Sequence, residues 1–158
     1  MIRTFKNMVK KYEKSSGWIV YRIGDSGEKE ILLLKWLNSR KKEEYVIPKW
    51  HIEQDEIAKE AAIREICEEA GLLERDLEVI KFITKLNYTF TAGYLKDNPV
   101  IDKDVYIFLV KYTGKKKPYV SRDERFIGFK WVPIDQIGDM KVRFDIGTMV
   151  KKNKTYFI

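Results

Sequence analysis

Between residues 47 and 72 lie seven carboxylates, Glu53, Asp55, Glu56, Glu60, Glu65, Glu68 and Glu69, against Lys49, Lys59 and Arg64. The whole chain carries a formal charge of +7, so this acidic stretch runs against the balance of the protein. At about 100° per residue on a helical wheel, Glu65, Glu68 and Glu69 point to one side. Ile63, Ile66, Cys67 and Ala70 form another face, suited to packing on a core. Ala58, Ala61 and Ala62 flank the acidic side, and their small side chains leave room for a group to approach. Like charges at these spacings cost a helix only about 0.2–0.5 kcal/mol per pair, so a solvated acidic face is one reading. A divalent cation is the other, because Mg²⁺ and Mn²⁺ take hard oxygen ligands and complete their shells with water and phosphate.

The helix that must carry these carboxylates is expected over residues 55–70, with Asp55 as N-cap and Gly71 as the stop. Apolar, β-rich runs at residues 17–23 (GWIVYRI) and 30–36 (EILLLKW) flank GDSGEK, a hairpin turn signal. A short extended piece at residues 45–47 leads into Pro48, which biases Ile47 towards extended geometry. Further strands are expected at residues 77–88, 105–112 and 129–132. The last is ended before Pro133, which has no N–H for a ladder. Residues 134–137 suit a helical turn, and residues 143–152 have a weak helical lean. Strands on both sides of one long helix imply a mixed α/β domain.

At 158 residues, with 44% hydrophobic and 13% aromatic content, the chain is expected to be one domain with a real core. The single cysteine, Cys67, excludes an internal disulfide framework and suits a reducing, cytoplasmic setting. No apolar run reaches the length of a membrane span, and residues 1–18 lack the pattern of an ordinary secretory signal. Lysine clusters at residues 6–14, 40–42, 115–117 and 151–154 make the surface basic. Such a field attracts phosphate-rich ligands, although a solvated surface is the plainer reading of any one cluster. None is interleaved in sequence with aromatics as a single-strand platform would be, so nucleic acid is possible but not indicated.

Glu56, seven residues, then REICEEAGL over residues 64–72 resembles the Nudix hydrolase motif G-x5-E-x7-R-E-U-x-E-E-x-G-U. Only its first position departs. The resemblance implies a Nudix fold, an α/β/α sandwich with a mixed sheet. It also implies hydrolysis of a P–O–P bridge in a nucleoside diphosphate-linked substrate with Mg²⁺ or Mn²⁺. Glu65, Glu68 and Glu69 resemble the metal-binding carboxylates, with Glu65 alternatively taking the proton of the attacking water. Arg64 and Glu56 resemble the pair that orients them. PKWHIEQDE at residues 48–56 is similar to a segment of asymmetric diadenosine tetraphosphate hydrolases and diphosphoinositol polyphosphate phosphohydrolases. In that likeness Lys49 meets a phosphate and His51 lines the loop. KDVYIFL at residues 103–109 resembles a strand of the same branch and makes Lys103 a second phosphate contact. Glu124, within SRDE, resembles an additional metal-side carboxylate.

The substrate implied is a dinucleoside polyphosphate. The alternatives are a nucleoside triphosphate, an RNA 5′ end, and a nucleotide sensor without turnover. Tyr88, Phe90 and Tyr106 could stack on a base or belong to core and rim.

The departure is Trp50, at the motif's first glycine. A bulky residue at positive φ costs on the order of 1–3 kcal/mol. Either the backbone has re-formed at negative φ, with Trp50 a wall for the substrate, or catalysis is impaired.

Overall fold

The computed structural model describes residues 9–47, 49–53, 55–120 and 126–158, with Trp50 by its backbone alone. Seven strands build one mixed sheet: β1 (Lys10–Ile23), β2 (Lys29–Leu37), β3 (Glu43–Val46), β4 (Lys49–His51), β5 (Leu77–Thr91), β6 (Val100–Tyr112) and β7 (Phe126–Pro133). The hairpin turn between β1 and β2 forms as its sequence implies: Gly24 N–H donates to Glu28 O, and Gly27 takes φ +83°. The strands outrun their apolar cores. β5 and β6 pair from Leu77 opposite Tyr112 to Thr91 opposite Val100, because a long antiparallel ladder keeps adding backbone bonds after its buried stretch ends. Pro133 closes β7 as its last residue, opposite Glu30.

The central strand β1 runs parallel to β6 from Lys10 to Tyr21. Its other edge is shared. Tyr21, Arg22 and Ile23 pair with β2, whereas Ser15, Ser16 and Gly17 pair with β4. β2 leaves β1 to pair with β3 and β7, and β4 takes the edge so opened. This divergence carries Lys49, Trp50 and His51 into the middle of the sheet.

Two cores lie on its two faces. Trp18, Val20, Leu32, Leu34, Phe108 and Val110 pack against α1 (Ala58–Ala70). Ile19, Tyr21, Ile31, Leu33, Ile107 and Leu109 pack against α2 (Ile146–Lys152) and Phe157. The alternation along β1 sends even residues to one helix and odd residues to the other, the period-2 rule of a strand buried on both faces. The α/β/α sandwich is as expected.

Two helix expectations need correction. α1 starts at Ala58, after Ile57, and Asp55 is no N-cap: it sits at φ +64° in the preceding turn, a geometry aspartate tolerates better than most residues. The buried face is also rotated. Ala61, Ala62, Glu65, Ile66, Glu69 and Ala70 are buried, while Ile63 and Cys67 are only half-buried. The alanines let the helix lie close to the sheet, where the Ser16 hydroxyl donates to Ala58 O at 2.7 Å. They do not leave an open approach. Gly71 ends the helix as expected, at φ +64°, and its N–H donates to Cys67 O.

Candidate active site

Arg64 organises the acidic half. Its Nε donates to Glu56 Oε1 at 2.8 Å and its Nη2 to Glu56 Oε2 at 3.2 Å, a two-pronged pair. Nη1 donates to Glu65 and, at 3.1 Å, to Glu68 Oε2, and lies 3.8 Å from Glu53 Oε1. The pairing holds the Glu56 carboxyl below its ordinary range and raises the guanidinium. Glu56 in turn accepts from Glu53 N–H at 3.1 Å, which fastens the turn between β4 and α1. The sequence placed Arg64 and Glu56 together, and they are together.

Glu65 and Glu69 are each 1% exposed and stand one turn apart on α1, with Glu68 at the rim. Burying two carboxylates is costly unless cations or donors face them. Among the described residues no group of three or more His, Cys, Asp or Glu side chains is gathered tightly enough to enclose a metal. Arg64 stands between Glu65 and Glu68 instead. The donor types nonetheless suit a hard divalent cation: they are carboxylate oxygens on successive turns, with no thiolate or imidazole among them. Glu124 lies outside the described residues.

The second half lies on the α2 face of the sheet. Lys49, half-buried, places its Nζ 3.7 Å from the Phe144 ring centroid and 4.5 Å from that of Tyr88, whose hydroxyl it also meets. Burial, then Lys103, then Arg143 push the Lys49 amine down to about 7. Burial is the larger cause and the two neighbouring cations add to it, so an anion here would favour the charged amine. Lys103 is itself lowered by burial, with Glu13 acting against that. Glu13 Oε2 lies 3.8 Å from Lys103 Nζ and 3.6 Å from His51 Nδ1.

His51 joins the two halves. Its carbonyl accepts from Arg64 Nη2 at 3.5 Å, and its imidazole stands beside Glu13. His51 thus links the carboxylates of α1 to the lysines of β4 and β6 across the sheet. Trp50, between Lys49 and His51, pairs with Ser16 in the ladder. Ladder pairing uses extended backbone, which any residue adopts, so the left-handed geometry that favours glycine is not what this position shows.

Glu13, Arg143 and Phe144 escaped the sequence reading. Phe144 sits at φ +66° with Asp145 at +53°, conformations costly for bulky residues and common where function demands them. The strained turn delivers the Phe144 ring to Tyr88, with centroids 5.5 Å apart. No sequence signal marks that turn, since neither residue is glycine. Tyr88 also stacks on Phe90 at 5.9 Å. Tyr106 instead packs on the α1 face, near Phe82.

A family model for the NUDIX domain matches residues 14–152. The chain belongs to the Nudix family. Its fold is shared with the Ap4A hydrolase of C. elegans in a binary complex, at 22% identity over 91% of this chain and 96% of that one, TM-score 0.70. It is also similar to the Nudix hydrolase RenU of M. smegmatis, at 16% identity over 90% and 84% of the two chains, TM-score 0.63. The NUDIX domain of Shewanella oneidensis NrtR, complexed with ADP ribose, matches at 14% identity over 98% and 93%, TM-score 0.60. At these identities the likeness is one of fold. In sequence, 54 residues are 43% identical to an RxLR effector protein of Phytophthora infestans (strain T30-4), covering 34% of this chain. The match spans about a fifth of that relative's length, 20%. The NUDIX match takes in most of the chain. None of its described helices is long and apolar enough to cross a membrane.

Proposed function

We propose that this enzyme hydrolyses a P–O–P bond in a dinucleoside polyphosphate or a similar polyphosphorylated nucleotide, in the cytoplasm and with Mg²⁺ or Mn²⁺. The observation that carries this reading is Lys49 held against the Tyr88–Phe144 ring pair, with Lys103 and Arg143 acting on its charge and Arg143 itself paired with Glu44 at 3.6 Å. Three cations suit a phosphate chain longer than one group, and the rings suit a base at its end.

Glu65, Glu68 and Glu69 would hold the cation, which supplies charge compensation at the phosphate oxygens and lowers the pKa of the attacking water. Glu65 accepts a proton from that water as its oxygen bonds to phosphorus, and the bridging oxygen leaves with the electron pair. Arg64 and Glu56 fix the direction of the carboxylates. Lys49 and Lys103 neutralise the non-reacting phosphates, and His51 lines the passage between the halves. The extended backbone at Trp50 favours turnover over a sensor role, because that position carries no visible strain.

Incubating the protein and Mg²⁺ with diadenosine tetraphosphate, ADP-ribose, nucleoside triphosphates and triphosphorylated RNA tests the reading. ATP plus AMP from diadenosine tetraphosphate is expected, with the activity lost in Glu69→Gln. A monophosphate plus pyrophosphate from triphosphates alone would move the assignment to that class. Binding without products would make the protein a sensor.

A further inference from the structure

Far from this site, the sheet carries a second basic and aromatic cluster that the reaction does not use. Near the end of β1, the Arg22 guanidinium lies 4.3 Å from the Trp131 ring centroid, and Tyr112 stacks nearly parallel to the same ring at 6.1 Å. Gly17, where β4 pairs, lies five residues back along β1, about 17 Å at strand rise. Beside Trp131 runs the segment after β6, with Lys115, Lys116 and Lys117. It is fixed in place: Thr113 N–H donates to Asp76 O at 3.0 Å, and the Tyr112 hydroxyl donates to Lys116 O at 2.7 Å. At Gly114 even a Cβ would come within 2.6 Å of Asp76 and Tyr112.

Together these residues line a cavity of about 680 Å³, within the range of small-molecule sites. None of the three lysines forms an ion pair with a described residue, and Lys117 Nζ stands 5.9 Å from the Phe129 ring. Three acids also line the cavity, and one of them, Glu30, is held by Arg22 at 2.7 Å. The aromatics come from residues 112, 129 and 131 and the lysines from 115–117, so folding supplies the interleaving that the sequence lacked.

We propose that this cavity is a second nucleotide site, separate from the hydrolytic centre, which takes a base against Trp131 and Phe129 and its phosphate on Lys115–Lys117. Exposed lysines on a hydrogen-bonded backbone, beside the half-buried rings of Phe129 and Trp131, suit a ligand that is planar at one end and anionic at the other. An apolar ligand would leave three lysines facing it. A free nucleotide and the 5′-phosphorylated end of an RNA share that chemistry.

The test follows the indole N–H signals of ¹⁵N-labelled protein by NMR, with the Trp131 signal assigned through Trp131→Phe. AMP, a 5′-phosphorylated oligoadenylate and inorganic phosphate are titrated separately, without metal. The Trp131 signal should move and saturate with AMP, and Lys115→Ala/Lys116→Ala/Lys117→Ala should weaken that binding roughly tenfold through lost charge. The same triple variant should hydrolyse substrate at the wild-type rate. Movement with the oligonucleotide and not with AMP would assign the site to RNA ends. A Trp131 signal that stays still with both, or that moves equally with inorganic phosphate, would overturn the proposal. So would AMP affinity that is unchanged in the triple variant. Because the readout is binding at Trp131, it is independent of whether the α1 site cleaves dinucleoside polyphosphates.

Discussion

The two halves of the proposed hydrolytic site are built in opposite ways. Its acidic half is local: Glu53, Glu56, Arg64, Glu65, Glu68 and Glu69 fall within one turn and one helix, and a single guanidinium ties four of the carboxylates together. The basic half is assembled from four distant segments, with Lys49 on β4, Tyr88 on β5, Lys103 on β6 and Phe144 in the turn before α2. Helical spacing gathers Arg64, Glu65, Glu68 and Glu69 on α1, and the turn after β4 brings Glu53 and Glu56 to the same guanidinium. The basic half exists only once β1 and β2 have diverged and β4 has entered between them. A fixed-spacing motif therefore marks the α1 end, while the lysine and aromatic cluster is left to tertiary structure.

The largest effect should come from the acidic half. Glu69→Gln keeps size and burial and removes one charge, so turnover with Mg²⁺ should fall about 10²–10⁴-fold, with unfolding by heat shifted little. A steady-state assay against circular dichroism melting separates the two quantities. Activity within tenfold of wild type would mean that α1 does not hold the cation.

Arg64 is the next place to break the comparison, because there stability and chemistry share one side chain. Arg64→Met leaves Glu56 and the nearly buried Glu65 without their cation, and should cost about 3 kcal/mol, read from denaturant midpoints in EDTA. Mg²⁺ should restore part of that loss in the variant and less in the wild type, since a cation at the carboxylates takes over Arg64's neutralising role. Equal effects of Mg²⁺ on both would separate the arginine from the cation site.

These two variants also mark how far the sequence could be read. The motif located α1, Gly71 and the three glutamates through 3.6-residue spacing within one helix, and the Arg64–Glu56 pair through a fixed seven-residue gap, since Glu56 lies in the turn before α1. Lys49, His51 and Lys103 were reachable by likeness to a branch of the family. Glu13, Arg143 and Phe144 were not, because what gathers them is the β1–β6 register and a left-handed turn made without glycine. The helix face was misjudged for a related reason. A wheel counts apolar residues, but here the alanines and two glutamates face inward, since close approach to β1 and the placing of carboxylates outrank hydrophobic burial.

On the basic half, Lys49 should show opposite signs in stability and in binding. Its folded pKa of about 7 lies below the ordinary lysine value, so the unfolded chain holds a proton that the native one lacks between roughly pH 7 and 10.5. Stability therefore rises with pH across that window, and the destabilisation by Lys49 is fully present below pH 7. Phosphate restores the proton, so substrate binding should take up a proton above pH 7 and weaken as pH rises towards 10. Calorimetry at pH 8.5 in buffers of different ionisation enthalpy measures that uptake directly. Lys49→Met should raise KM about tenfold, abolish the uptake and leave the fold slightly more stable below pH 7. A KM unchanged by the substitution would detach the basic cluster from the substrate.

Phe144→Gly probes the same half more gently. Glycine relaxes the φ of +66° while removing the ring beside Tyr88. Melting temperature should hold or rise, and KM for an adenine-containing substrate should increase about fivefold through lost stacking. If KM is unchanged, the ring shields Lys49 from water and does not bind a base.

Trp50→Gly should do least, and it tests the joint between the halves. The family motif places glycine here, so the natural expectation is that restoring it rescues activity. The ladder argues otherwise: Trp50 pairs with Ser16 on extended backbone, where glycine has no conformational advantage and costs about 0.5–1 kcal/mol in chain entropy. Turnover should then stay within about threefold of wild type while the melting temperature falls by a few degrees. A rise of tenfold or more in turnover would mean that the tryptophan holds β4 away from the geometry the carboxylates need. Lys49 and His51 flank it on the same short strand, so the basic half would have to shift along with it, and the Lys49 proton uptake would change in the same variant. Measuring both in Trp50→Gly thus distinguishes a local effect on catalysis from a movement of the whole strand.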